Sequence, residues 1–242
     1  MSRVLFVVPA YNEEEYMGSV LDRALSLIES HSNWDLLVVD DGSNDSTAEI
    51  IRAKGVNVIR HRENLGEEAA IQTGFDYALK HNYDFVVKFD ADGQHNPLDV
   101  TKILNPLLKN EADVVIGSRI SSYFEPLPLK LGRAFCSMVI SLFIGRLVAD
   151  PTSGFKGRNR AAIKYSRLLY LTTNRLHNDM VNDIEELILY SNRKMRIKEV
   201  PVNMNRSERA SKCYSSFGLF KFPFVLLSAS FRAFLSDVCN PN

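Results

Sequence analysis

The sequence predicts an α/β fold, a mostly parallel sheet with helices on both faces. Three observations carry that prediction. Short β-branched runs alternate with amphipathic stretches through the first half of the 242 residues. Those runs are continuously apolar rather than alternating, as in strands covered on both faces. Four of them also end in polar or charged groups, and in parallel sheets ligands collect at the carboxyl ends of the strands.

The elements follow in order. "VLFVVP" (4–9) reads as the first strand and 14–30 as a helix. "LLVVDD" (36–41) is the second strand, and "DGSNDST" after it contains helix-cap chemistry, with Asp45 or Ser46 starting a helix over 46–54. "VNVIRH" (56–61), a helix over 67–82, "DFVVKFD" (84–90), a helix over 97–110 and "DVVIGS" (113–118) complete the half, with right-handed crossovers expected between parallel strands. The second half is less regular. A helix is expected over 128–148, a loop at "DPTSGFKG" (150–157), and helices over 159–168 and 178–192. "RIKEVPVNM" (196–204) reads as a strand in which Pro201 signals an edge or a bulge. A charged loop (205–212) and an apolar terminal helix follow. No internal repeat or low-complexity segment is present.

Composition is that of an ordinary soluble chain, 45% hydrophobic and 24% charged. A net charge of +0 argues against nucleic acid as a partner. The charge is unevenly placed, with a net −10 over residues 1–117 and +10 over 118–242. Solvated faces account for such a split, and so does a metal-holding front half joined to a back half that faces something anionic. Cys136, Cys213 and Cys239 have neither disulfide nor metal spacing, which fits a reducing, cytoplasmic setting. The apolar run at the N-terminus is too short for a signal peptide. No segment reaches the roughly 20 apolar residues of a membrane span. "AFCSMVISLFIG" (134–145) and "FGLFKFPFVLLSASFRAFL" (217–235) read as core helices or as apolar faces in a membrane interface, with Lys and Arg reaching head groups.

Asp90 and Asp92 leave a buried strand one residue apart. Two hard oxygen donors suit Mg2+ or Mn2+, and Gln94 adds a third oxygen. His95 lacks the Cys/His partners of a zinc site. Alone, an Asp-x-Asp is a weak signal.

Here it is one of an ordered set: "VVPAYNEEE", "LLVVDDGSNDST", "NLGEEAAIQTG", "VVKFDADGQHNP", "VVIGSR", "DPTSGFKG" and "EVPVNMNRSERASK". Together, over about residues 3–212, these resemble the family 2 glycosyltransferases, and most closely the dolichol-phosphate mannosyltransferase and polyprenyl-phosphate sugar transferase branch. The resemblance implies a GT-A fold (Rossmann-like, nucleotide-diphospho-sugar transferase), a nucleotide-diphospho-sugar donor and a divalent metal on Asp90, Asp92 and Gln94. It places Pro9, Tyr11 and Glu13 against the nucleotide, Val39 and Asp41 near base or ribose, and Asp90, Ala91 and Asp92 at the diphosphate. Arg119, Arg206 and Lys212 correspond to cations that meet phosphates, with Ser118 and Arg133 in the acceptor-phosphate pocket. It divides the chain into a catalytic domain (1–212), with a donor half (1–118) and an acceptor half (119–212), and a C-terminal apolar helix (213–242).

The implied chemistry is transfer with inversion to a polyprenyl phosphate at the cytosolic face of a membrane, the terminal helix meeting the membrane surface or a small membrane-protein partner. A lipid phosphate is already an anion and needs no base. A glycan hydroxyl, the alternative acceptor, does, and Asp150, Asp183 and Glu185 are the candidates. The turn-capping role of Asp150 stands beside that reading, and Asp183 and Glu185 are two apart on a predicted helix, on different faces. A nucleotidyltransferase is a further reading, but it calls for a basic Gly-rich loop where "PAYNEEE" is acidic. An inactive sugar-nucleotide-binding protein is the non-enzyme reading. One departure stands out: Glu67 and Glu68 occupy positions where relatives carry small or basic residues, and two acids beside a diphosphate would repel it unless they point away, which speaks against a donor role for this loop.

Overall fold

A computed structural model describes residues 2–91, 93, 96, 99–119, 127–173 and 179–203. Seven strands form one sheet in the order β3-β2-β1-β4-β6-β5-β7. They are β1 (Val4–Ala10), β2 (Trp34–Asp40), β3 (Asn57–Arg60), β4 (Phe85–Lys88), β5 (Val114–Ser118), β6 (Lys156–Asn159) and β7 (Ile197–Pro201). All run parallel except β6, which is antiparallel to both neighbours.

The helices are α1 (Glu14–Ile28), α2 (Thr47–Ala53), α3 (Glu67–Lys80), α4 (Val100–Leu108), α5 (Leu127–Ile144), α6 (Arg160–Thr173) and α7 (Asp179–Asn192). They cover both faces. Along β1, Val4, Phe6 and Val8 pack with Met17 and Leu21 of α1, Ile51 of α2 and Ile103 of α4. Leu5 and Val7 point the other way, onto Ala70 and Phe75 of α3 and Ile163 of α6. This two-sided burial explains the continuous apolar runs. Phe75 is 1% exposed, and such a ring contributes roughly 1.5–3 kcal/mol through burial. Helix α5 packs outside, on α7, through Cys136, Ile140, Ile184 and Ile188.

Register decides where the strand ends meet. Ala10 lies opposite Asp40, and Asp40 opposite Arg60. Ser118 lies opposite Pro201, and β7 is the sheet edge, where a proline's missing N–H is tolerated. At the start of α2 it is Asp45 that caps, accepting from the Thr47 backbone N–H at 3.0 Å.

One expectation is corrected. The stretch 150–157 is not all loop, because Lys156 and Gly157 open β6 in the middle of the sheet. "KGRN" has no apolar pattern because its side chains serve charge and close approach. Lys156 and Arg158 are buried and ion-paired to α7, through Asp183 and Glu186. A Cβ on Gly157 would lie 2.5 Å from Ile103 Cγ2, so α4 rests directly on the strand backbone.

Candidate active site

The carboxyl ends of β1, β2 and β4 and the start of α3 surround a cleft of ≈ 370 Å³. Pro9, Tyr11, Glu13, Asp41, Asp90 and Ala91 line it, together with Gly66 and Glu67. The loops after β1 and β2 are laced together: Asn12 N–H donates to Ser43 Oγ (3.0 Å), Glu13 N–H to Thr47 Oγ1 (2.8 Å) and Asn44 N–H to Asn12 Oδ1 (2.9 Å). Asp41 holds the third wall. Its carboxylate accepts the Leu65 and Gly66 backbone N–H groups at 3.0 and 2.8 Å and pairs with His61 Nδ1 at 2.6 Å. Asp41 therefore fixes the approach to α3 as well as lining the cleft. The Val39 side chain is fully buried in the core against α3, so contact with base or ribose would fall to its backbone.

Beneath the cleft lies a lysine inside an apolar strand. Lys88 is buried, and its ammonium pairs with Glu67 and, at 3.2 Å, with Asp90 Oδ1. Burial alone would favour the neutral amine. The charges of Asp90 and Glu67 outweigh it and raise the pKa well above the usual lysine value, which favours the ammonium form. Gly154 makes room for this group, since a Cβ there would lie 3.0 Å from Lys88 Nζ and 3.2 Å from Asp90 Oδ2. Both acids of "NLGEE" have protein partners, Glu67 pairing with Lys88 while it lines the cleft and Glu68 accepting from Gln72 Nε2 at 2.7 Å.

Asp150 and Arg119 form the second cluster, beyond β5. Arg119 grips the carboxylate with Nε (2.6 Å) and Nη2 (2.7 Å), and its backbone N–H adds a third bond at 3.1 Å. Glu199 of β7 accepts from the Ala149 and Asp150 backbone N–H groups, both at 2.9 Å, and so anchors the loop. Arg133 adds its charge to the Asp150 environment. Burial opposes ionisation of Asp150, but Arg119 and then Arg133 overcome it and hold the pKa below the ordinary carboxylate value. A lowered pKa and committed lone pairs do not suit a general base. As placed, Asp150 holds Arg119, which favours a positioning role over that of a base. Ser118, at the end of β5, is fully buried, with a hydroxyl that has no hydrogen-bond partner among the described residues.

Asp183 pairs with the fully buried Lys156 at 2.6 Å, and Glu185 is 6% exposed on the same helix. A buried network continues from them. Arg158 Nε donates to Tyr190 Oη (3.0 Å), Tyr190 Oη donates to Glu186 Oε1 (2.7 Å), and Arg158 Nη2 and Ser166 Oγ also hold Glu186.

Asp92, Gln94, His95, Arg206 and Lys212, and the segment 213–242, lie outside the described residues. Among the described residues no three His, Cys, Asp or Glu side chains converge to hold a metal ion, so Asp90 is the one described member of the predicted donor set.

A model described as "Glycosyl transferase family 2" matches residues 5–167. The chain belongs to that family. Among similar glycosyltransferases is a UDP-N-acetylglucosamine–dolichyl-phosphate N-acetylglucosaminyltransferase from Methanococcus voltae, 30% identical over 221 residues, which cover 82% of this chain and 84% of the relative. A dolichyl-phosphate β-glucosyltransferase from Trichomonas vaginalis is 29% identical over 96% of this chain and 73% of its own length. Among solved structures, glucosyl-3-phosphoglycerate synthase from Mycobacterium tuberculosis, in complex with Mn2+, uridine diphosphate and phosphoglyceric acid, superposes with a TM-score of 0.68 at 21% identity, over 95% of this chain and 78% of the other. The fold is therefore GT-A, and the protein is a family 2 glycosyltransferase whose relatives include dolichyl-phosphate sugar transferases.

Sequence reasoning missed Lys88, Glu199 and the Arg158–Glu186 pair. A signal existed for the first. A lysine in "FVVKF", inside an otherwise apolar strand, requires a buried partner.

Proposed function

We propose that this glycosyltransferase moves a sugar, with inversion, from a nucleoside-diphosphate sugar to a polyprenyl phosphate, at the cytoplasmic face of a membrane. The observation that carries the acceptor class is the state of the candidate bases. Asp150 is locked on Arg119, Asp183 is locked on Lys156, and Glu185 is buried. A hydroxyl acceptor needs a ready base, whereas an anionic phosphate needs cations. Arg119 and Arg133 supply these together beside Asp150. The dolichyl-phosphate substrates named for the two relatives support the same acceptor.

Donor binding falls to the cleft. Pro9, Tyr11 and Glu13 form one wall and Asp41 braces the opposite one. Among the described residues the donor atoms lining the cleft are oxygens rather than thiolates or imidazoles, which fits a hard cation such as Mg2+ or Mn2+, and the superposed synthase was crystallised with Mn2+. Asp90, with Asp92 and Gln94, would hold it. Bound there, it would stabilise the charge that develops on the departing nucleoside diphosphate. The domain division at 118/119 fits this scheme, with donor elements before it and the cation pair after it. Arg206 and Lys212 add further phosphate contacts.

Membrane contact has a candidate surface. No helix among the described residues is long and apolar enough to cross a membrane. Helix α5, however, exposes Leu131, Ala134, Met138 and Leu142 at spacings that form one stripe, with exposed Lys130 before it and exposed Arg146 and Leu147 after it. The apolar segment 217–235 adds to this surface or binds a small membrane-protein partner.

The test is a panel of nucleotide sugars with Mn2+, each run with and without a short polyprenyl phosphate in detergent. Label moving into the organic phase with one donor, and not after chelation, is the expected result. Donor hydrolysis without lipid product would overturn the acceptor assignment and return a glycan hydroxyl to first place.

A further inference from the structure

The Glu67–Lys88–Asp90 arrangement is unusual because one buried ammonium serves two carboxylates at the edge of the cleft. The Glu67 contact is the shorter of the two, and Lys88 Nζ lies 3.2 Å from Asp90 Oδ1. The ammonium is confined. Its side chain is 7% exposed, and the glycine at 154 leaves room for it, since a Cβ there would sit 3.0 Å from Nζ. From one buried position Lys88 reaches both acids, so its charge is shared between them.

We infer that Glu67 is a positioning residue that tunes the divalent-cation affinity of the cleft, by drawing the Lys88 ammonium partly away from Asp90. This rests on the reading above that Asp90 belongs to a metal-holding set. An ammonium wholly engaged with Asp90 would compete with a dication for the same oxygen and repel it. One shared with Glu67 competes less strongly for that oxygen. The same geometry explains how acids are tolerated in "NLGEE" beside a diphosphate site: Glu67 spends its charge on Lys88.

Glu67→Asp is the decisive variant. It keeps the charge at the first position of α3 but is one methylene shorter, so it cannot reach the confined ammonium. The measurement is Mn2+ binding to the full chain by electron paramagnetic resonance, alone and with each of a panel of nucleoside diphosphates. Thermal melting confirms that each variant is folded. Glu67→Asp and Glu67→Gln should both weaken Mn2+ binding about tenfold. Lys88→Met should tighten it, and in that background Glu67→Asp should have no further effect. Wild-type affinity in Glu67→Asp, or weakening by Glu67→Gln alone, would overturn the inference, because then Glu67 acts only through its bulk charge. Absence of Mn2+ binding by the wild type under every condition would overturn the metal reading and this inference with it. If the wild type binds and Glu67→Asp does not differ, only the inference falls.

Discussion

Replacing Glu68 with Gln should stabilise the protein above neutral pH and leave it unchanged in mild acid. Glu68 is the second residue of α3, and its Oε1 accepts from Gln72 Nε2 at 2.7 Å. Burial, reinforced by the nearby Glu186 charge, pushes its carboxyl up from 4.5 to about 7. A carboxyl raised in the folded state holds a proton that the unfolded chain has already lost. Its contribution is therefore fully favourable below the unfolded value and is lost as pH rises through the folded one. A shift of that size corresponds to about 3 kcal/mol at its limit. Partial exposure of the side chain screens it, leaving about 1–2 kcal/mol. Gln keeps an acceptor for Gln72 and does not titrate. Urea denaturation of both proteins from pH 4 to 8 should give coincident stabilities near pH 4.5 and a gap that opens between pH 5 and 7. By pH 8 Glu68→Gln should be the more stable by about 1–2 kcal/mol. A difference that does not vary with pH, or a less stable Glu68→Gln at pH 8, would refute the account.

Two further outcomes follow from the buried charges. Burial works against the Glu186 carboxylate, yet Arg158 and Lys156 hold its pKa at about 2. Glu186→Gln leaves the Arg158 guanidinium without its counter-charge and should cost about 3–5 kcal/mol, read as a lowered denaturation midpoint. Asp150→Asn removes the bidentate partner of Arg119. It should lower the melting temperature, though less than Glu186→Gln because Arg119 is 27% exposed, and lower kcat/KM for the phosphate acceptor by about tenfold to a hundredfold, mainly through KM. Undiminished kcat/KM would show that Asp150 does not orient the cations.

Most of the layout was legible because it depends on local chemistry. Strands buried on both faces must be apolar throughout, and "VLFVV", "LLVV" and "DVVI" became β1, β2 and β5 within a few residues. Polar groups after such strands, at "PAYNE", "DDGS" and "DAD", marked the sheet edge where the cleft lies. Strand β6 was not legible, because its residues satisfy partners that are distant in sequence. Lys156 and Arg158 resemble loop residues until Asp183 and Glu186 of α7 are brought over them.

By itself the sequence determined the family, the α/β class, the edge of the sheet that carries the site and the oxygen-donor character of the cleft. Each of these follows from residue type and spacing along the chain. Only the tertiary structure decided how the charges are spent. It turned Asp150 from a candidate base into the anchor of Arg119, and Glu67 from a liability beside a diphosphate into the partner of Lys88. The physical reason is that a carboxylate's role depends on what lies within a few ångströms of it. For these two acids the neighbours come from 31 and 21 positions away in the chain, which no local pattern encodes.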